Sequence, residues 1–333
     1  MHVLLKAMRG FPKKGVLWSR LIASECFDSR FFRAIVAALS DDFSSDALVL
    51  IAHGSTVNTQ SSAPTRRLAD VIRDRAIFSE VTCAFKLEAP KIDEVTSLVK
   101  AGRIFVAPVT ISEGQFTEEI IPFHLGLCTK GECDCPVGQC DYPRAGTVNG
   151  KELIYCEPVG THSSMTDVLI GRAHEVVRSH PFPREPRPDE IALIIAGHGT
   201  KQNSNSRKAI ETQVELIRTR NEYADVQPAF MEETPLIADC YEATDARHIV
   251  IVPFFIADGL HTVEDIPVLL GEPESRVREL LETGQPTWHN PTERKGKLIW
   301  YTKAIGNEPY LPEVILERVR EAARQLSALR KPC

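Results

Sequence analysis

The chain has 333 residues, enough for two domains, with 43% hydrophobic and 25% charged residues, the balance of an ordinary globular protein. Its formal net charge of −6 gives no global attraction to nucleic acid or to an anionic membrane surface. No apolar run approaches the ~18 residues of a membrane span, and the start, MHVLLKAMRGFPKKGVLWSR, lacks a long apolar segment and a small-residue cleavage site. A protein of the cytoplasm, monomer or homodimer, with no nucleic-acid or membrane partner is therefore expected.

In chain order, residues 1–46 form an extension with one helical pattern, Phe31–Leu39, and a linker-like SDDFSSD. From Ala47 the chain repeats itself. ALVLIAHG at 47–54 and ALIIAGHG at 192–199 place His53 and His198 at a separation of 145 residues. The same separation relates Ala84–Phe85 to Ala229–Phe230, Pro108 to Pro253, Gly114 to Gly259, Thr117 to Thr262 and Pro122 to Pro267, with no gap. Further on, YCEPVGTHSSMTDVLIGRA resembles YTKAIGNEPYLPEVILERV, so each unit ends in a strand-like run and a helix. A period this long marks duplicated domains, not a solenoid. The expected organisation is an extension 1–46, a first domain 47–178, a linker 179–190 dense in Pro and charge, a second domain 191–325 and a tail 326–333.

Within each unit short Ile/Val-rich runs alternate with helical patterns at Thr65–Arg75 and Ser206–Thr219. That alternation predicts α/β domains, each a parallel sheet flanked by helices, related by a pseudo-two-fold axis across a cleft. Ligands of such sheets bind beyond the carboxyl ends of the strands. Ile191–Ala196 ends at His198, AFMEETP carries Glu232 and Glu233, and His248–Ile256 leads to His261. Two imidazoles and a carboxylate at one edge can hold a metal or move protons. A lone histidine at a strand end is more often structural; the acidic pair and the second histidine favour chemistry.

The units differ at one place. The first carries CTKGECDCPVGQCDYPRAGTVNG where the second has EPESRVRELLETG, a helical pattern. Four of the 9 cysteines, Cys128, Cys133, Cys135 and Cys140, crowd this loop. In a reducing compartment such density points to metal rather than disulfides, an iron–sulfur cluster or Zn²⁺, with free or metal-delivering thiols as the remaining reading. The spacing matches neither the bacterial ferredoxin run nor a paired CxxC ribbon.

The HG[ST] turns, the AF-[LM]-E segments and GLHTVEDIP together resemble the class II chelatases of the CbiX/SirB type, over residues 47–325. The resemblance implies insertion of Co²⁺ or Fe²⁺ into sirohydrochlorin for cobalamin or siroheme synthesis. It implies His198, Glu232 and His261 as the catalytic set, with Glu233 the alternative acid among the metal ligands. It leans toward an iron–sulfur cluster at the Cys loop. The first unit keeps His53 but has Leu87 and Phe116 where the second has Glu232 and His261, which implies a binding role for it. Sirohydrochlorin carries carboxylates, and Lys201, Arg207, Lys208 and His53 are the expected substrate contacts. A non-catalytic metal or tetrapyrrole binding protein on the same fold is the alternative.

Overall fold

The computed structural model describes residues 42–56, 61–128, 141–199 and 204–329. The Phe31–Leu39 pattern, Lys201, Cys133, Cys135 and Cys140 lie outside the described residues.

The first repeat runs β1 (Ala47–Ala52), α1 (Ala63–Arg73), β2 (Glu80–Phe85), β3 (Arg103–Pro108), β4 (Arg144–Val148), β5 (Lys151–Tyr155) and α2 (Met165–Ser179). The second runs β6 (Ile191–Gly197), α3 (Asn205–Arg220), β7 (Asp225–Phe230), β8 (His248–Pro253), α4 (Glu274–Glu282), β9 (Thr292–Arg294), β10 (Lys297–Tyr301) and α5 (Leu311–Leu329). Both sheets have five strands, in the orders β2-β1-β3-β5-β4 and β7-β6-β8-β10-β9. The orders are identical once the repeat is allowed for.

The central strands are continuous apolar runs because both faces are covered; every residue of β1 and of β6 is buried. Four strands of each sheet are parallel, but the edge strands β4 and β9 pair antiparallel with β5 and β10. This amends the expectation of wholly parallel sheets. The cause is local: Asn149-Gly150 and Lys295-Gly296 adopt positive φ at both positions, the backbone of a tight two-residue hairpin turn. The helical pattern of EPESRVRELLETG is realised as α4, and the first repeat carries the Cys-rich segment there instead.

The repeats exchange their last helices. The apolar face of α2, with Met165, Leu169 and Val176 buried, packs on β8 and β10 of the second sheet, while α5 packs on α1 and β3 of the first. One apolar cluster consequently runs through both repeats. The polar contacts are reciprocal. Arg172 of α2 donates to the Ala304 carbonyl at 3.1 Å, and Arg318 of α5 donates to the Pro158 carbonyl at 3.1 Å. Arg318 also pairs with both oxygens of Glu157 at 3.0 and 3.1 Å, and the Trp300 indole donates to the His180 carbonyl at 2.9 Å across the repeat junction. This reciprocity is that of a pseudo-two-fold axis.

Candidate active site at the strand edge of the second repeat

Parallel register brings the chemistry together. β6 lies between β7 and β8, with Ala196 paired to Ala229 on one side and to Pro253 on the other. The chain beyond each strand therefore emerges on one edge. The backbone of His198 closes the gap to β7: its carbonyl accepts from the Met231 and Glu232 amides at 3.1 and 3.3 Å. Glu232 is thereby set beside the histidine, with Oε1 3.7 Å from His198 Nε2. Gly199 makes the turn possible. Its φ is +62°, and a Cβ there would stand 2.6 Å from Phe230 Cβ and 2.8 Å from Glu233 Cγ.

His261 arrives from the far side of β8. It opens a π-helical turn, His261–Asp265, that leads into Pro267. Such turns occur often at functional sites because the wide turn re-aims side chains. This one is fixed from below. Tyr301 of β10, buried, donates its hydroxyl to the Thr262 carbonyl at 2.8 Å, and the Gly259 amide donates to Thr262 Oγ1 at 2.9 Å. Asp258 Oδ1 accepts from the Ala304 amide at 2.8 Å, tying the loop to the segment after β10. The His261 ring meets the His198 ring edge to face, with centroids 4.8 Å apart.

Asp265 was not singled out from the sequence, yet its Oδ2 lies 2.7 Å from His261 Nδ1. A carboxylate on one ring nitrogen sets the tautomer and leaves Nε2 as a lone-pair donor, as in metal-bound histidines. The His-x-x-x-Asp spacing, one π or α turn apart, was the available signal. Both groups are about half exposed, as is Glu232; His198 is less so, and its Nδ1 is buried without a partner. Among the described residues no three of His, Cys, Asp and Glu form a closed metal cage. The set is open, three donors that meet in pairs.

The other expected site residues fall elsewhere. Glu233 pairs with Arg207 at 3.1 Å and is only 19% exposed, one oxygen buried against the Gly199 turn. Arg207 is engaged in turn by Glu211 at 2.8 Å and the Thr234 carbonyl at 2.9 Å, and lies over the Phe230 ring. Glu233, expected as a metal ligand, and Arg207, expected as a substrate contact, thus pair with each other, and together they brace the turn. The first repeat repeats the brace, with Arg66 on Glu88 at 3.1 Å. Burial tends to raise the Glu88 carboxyl, but hydrogen bonds from Ser62 and Arg66 prevail and hold it low. Lys208 is exposed on α3.

In the first repeat His53 stacks on Phe116 with centroids 4.0 Å apart. Desolvation against the Phe116 ring, and secondarily the charge of Lys86, push its pKa below the ordinary 6.5. Phe116 opens the matching π turn, and Tyr155 donates to the Thr117 carbonyl at 2.8 Å as Tyr301 does to Thr262. The scaffold of the site is thus present twice, and the His/Glu/His set once.

Two α/β repeats with exchanged helices and an open imidazole–carboxylate set at the strand edge define a tandem protein of the chelatase class. The CbiX family model matches residues 47–176 and again 192–322, and the chain belongs to the CbiX family. A probable sirohydrochlorin cobaltochelatase of Halobacterium salinarum is 38% identical over 280 residues, 83% of this chain and 91% of that protein. A sirohydrochlorin cobaltochelatase of Methanopyrus kandleri is 29% identical over 140 residues, 40% of this chain and 96% of that one. Among solved structures, a multi-domain Deinococcus radiodurans protein described as similar to chelatases superposes with a TM-score of 0.65 at 23% identity, covering 86% of this chain and 60% of that one. SirB from Bacillus subtilis with Fe³⁺ superposes with a TM-score of 0.57 at 16% identity, covering 85% and 97%. The structural likenesses speak to the fold.

Proposed function

We propose that the chain inserts a divalent metal, Co²⁺ or Fe²⁺, into sirohydrochlorin, and that the second repeat performs the insertion. The observation that carries the assignment to that repeat is the meeting of His198, Glu232 and His261, with Asp265 behind His261. Membership of the CbiX family and the 38% identity to a probable cobaltochelatase support the reaction.

The chemistry follows from the donors. Imidazole nitrogen and carboxylate oxygen suit first-row divalent ions, and both Co²⁺ and Fe²⁺ accept them. The metal is a substrate here and has to leave. An open set that binds it through two imidazoles, without a closed cage, holds the ion and still releases it to the macrocycle. Insertion also displaces two pyrrole protons. Glu232, beside His198 and half exposed, accepts them one after the other and passes each to water before taking the next. Asp265 keeps His261 Nε2 directed as a ligand. Glu233 takes no part; it braces the His198 turn through Arg207.

The Cys set stands as a separate proposal, an iron–sulfur cluster or Zn²⁺ held by Cys128, Cys133, Cys135 and Cys140. It rests on their density in sequence and on the family resemblance. The insertion chemistry needs none of it.

One anaerobic preparation tests both. Incubated with metal-free sirohydrochlorin and each metal, the protein is expected to give the absorption change of insertion. His198→Ala or His261→Ala lowers the rate to the uncatalysed one, while His53→Ala retains most of it. Loss in His53→Ala with full rates in the other two would move the reaction to the first repeat. A wild-type chain that binds the macrocycle and metal but never joins them would be a carrier. Iron and acid-labile sulfide in the same sample support the cluster; zinc without iron rejects it.

A further inference from the structure

The first repeat has not merely lost the metal set; two of its acids give way to apolar residues, and basic residues stand at three neighbouring positions that are apolar in the second repeat. Glu232 and Asp265 are replaced by Leu87 and Ile120, so both acids are gone. Met231, Leu236 and Leu269, all apolar, are replaced by Lys86, Lys91 and His124. These three basic residues are scattered in sequence, yet all three line one pocket of about 280 Å³, with Phe85, Ile92 and Asp93. Three independent exchanges to basic residues converging on one cavity are not the pattern of a solvated surface, where charges scatter.

The pocket has a built geometry. Lys91 Nζ donates to the Lys86 carbonyl at 3.2 Å, and Lys91 is set there by its place after β2, where it bridges Phe85. Lys86 Nζ lies 6.0 Å from the centre of the Phe116 ring, which itself covers His53. Asp93 supplies one opposing charge, so the two lysines leave a cationic surplus. Leu87 and Phe123, next in sequence to Lys86 and His124, are apolar and 41% and 42% exposed. A volume of this size is too small for a macrocycle and suits a carboxylate arm.

We propose that the first repeat is a docking site for a tetrapyrrole polycarboxylate: Lys86 and Lys91 bind its acid arms, beside an apolar surface of Leu87 and Phe116 that receives the edge of the ring. The inference rests on the chelatase reading for the identity of its ligand, and it assigns the two repeats different tasks. The second handles the metal; the first handles the anion. It also accounts for how a chain with net charge −6 receives an acidic substrate, now that Arg207 is engaged within the fold.

The test is equilibrium binding of a metal-free porphyrin octacarboxylate, read by fluorescence, to the full chain. Lys86→Met with Lys91→Leu installs the residues of the equivalent positions, which the fold already carries once. This double variant is expected to weaken the probe by about tenfold or more, the scale of losing charge-assisted hydrogen bonds, and to flatten the salt dependence. Co²⁺ binding, measured by calorimetry, should be unchanged. His198→Ala with His261→Ala should do the reverse. Probe binding within twofold of wild type in the folded lysine variant would overturn the proposal. So would equal binding of the octamethyl ester, or displacement by inorganic phosphate at matched charge, which would mark a general anion pocket. Failure of the chelatase reading shows separately, as Co²⁺ binding and insertion indifferent to His198 and His261.

Discussion

His198 is held by its neighbours' backbone more than by its own ring. Its carbonyl takes the amides of Met231 and Glu232, and Gly199 lets Phe230 and Glu233 come close behind it. The adjacent acids divide the labour: Glu232 faces the imidazole, Glu233 the guanidinium of Arg207. Paired substitutions separate them. Glu232→Gln keeps the shape and removes the proton acceptor, so the insertion rate should fall by ~100-fold or more, within the usual worth of a general base, with the melting temperature unchanged. Glu233→Gln should leave most of the rate and cost ~1–2 kcal/mol of stability, because Arg207 loses a charge-assisted bond near the turn. Steady-state rates and thermal melts on the two proteins check this; a larger rate loss in Glu233→Gln would interchange the roles.

The π turn is the element in which the two strand edges share a backbone and differ in the side chain they present. Both repeats have it, opened by Phe116 in one and His261 in the other, and both anchor it from the last strand through a buried tyrosine hydroxyl. Removing that hydroxyl leaves a buried carbonyl without its donor, at ~1–3 kcal/mol. Tyr301→Phe and Tyr155→Phe should thus destabilise the fold comparably. Only Tyr301→Phe should also weaken Co²⁺, because only that turn carries His261 and Asp265. Calorimetric metal titration of both variants is the measurement, and equal metal affinity in the two would remove Tyr301 from the support of the site.

At the scale of the molecule, exchange of α2 and α5 makes the repeats interdependent. Each sheet has one face covered by a helix from the other repeat, and the buried Arg172 and Arg318 reach across the same junction. Neither repeat can open without exposing the apolar face of both helices. Unfolding in denaturant is expected to give one transition, coincident by circular dichroism and by Trp300 fluorescence. Two resolved transitions would show the repeats folding apart. Among the described residues no helix is long and apolar enough to cross a membrane.

The duplication, the α/β class and the strand-edge position of His198, Glu232 and His261 were all legible in the amino-acid string. Burial on both faces writes a strand as an unbroken apolar run, and a strand's end is therefore visible in one dimension. The antiparallel edge strands were missed: Asn149-Gly150 was a signal for the first hairpin, but β4 before it carries too weak an alternation to draw attention, and Lys295-Gly296 in the second repeat is a weaker turn signal. What the string could not decide depends on distance between residues far apart in it. It could not choose between Glu232 and Glu233, since a residue's direction at a loop is set by the partner it finds, here Arg207, 26 positions away from Glu233. It could not show that Lys86, Lys91 and His124 share a pocket. Nor could it show that each last helix covers the other sheet, because an amphipathic helix records that it has an apolar face and not which surface will receive it.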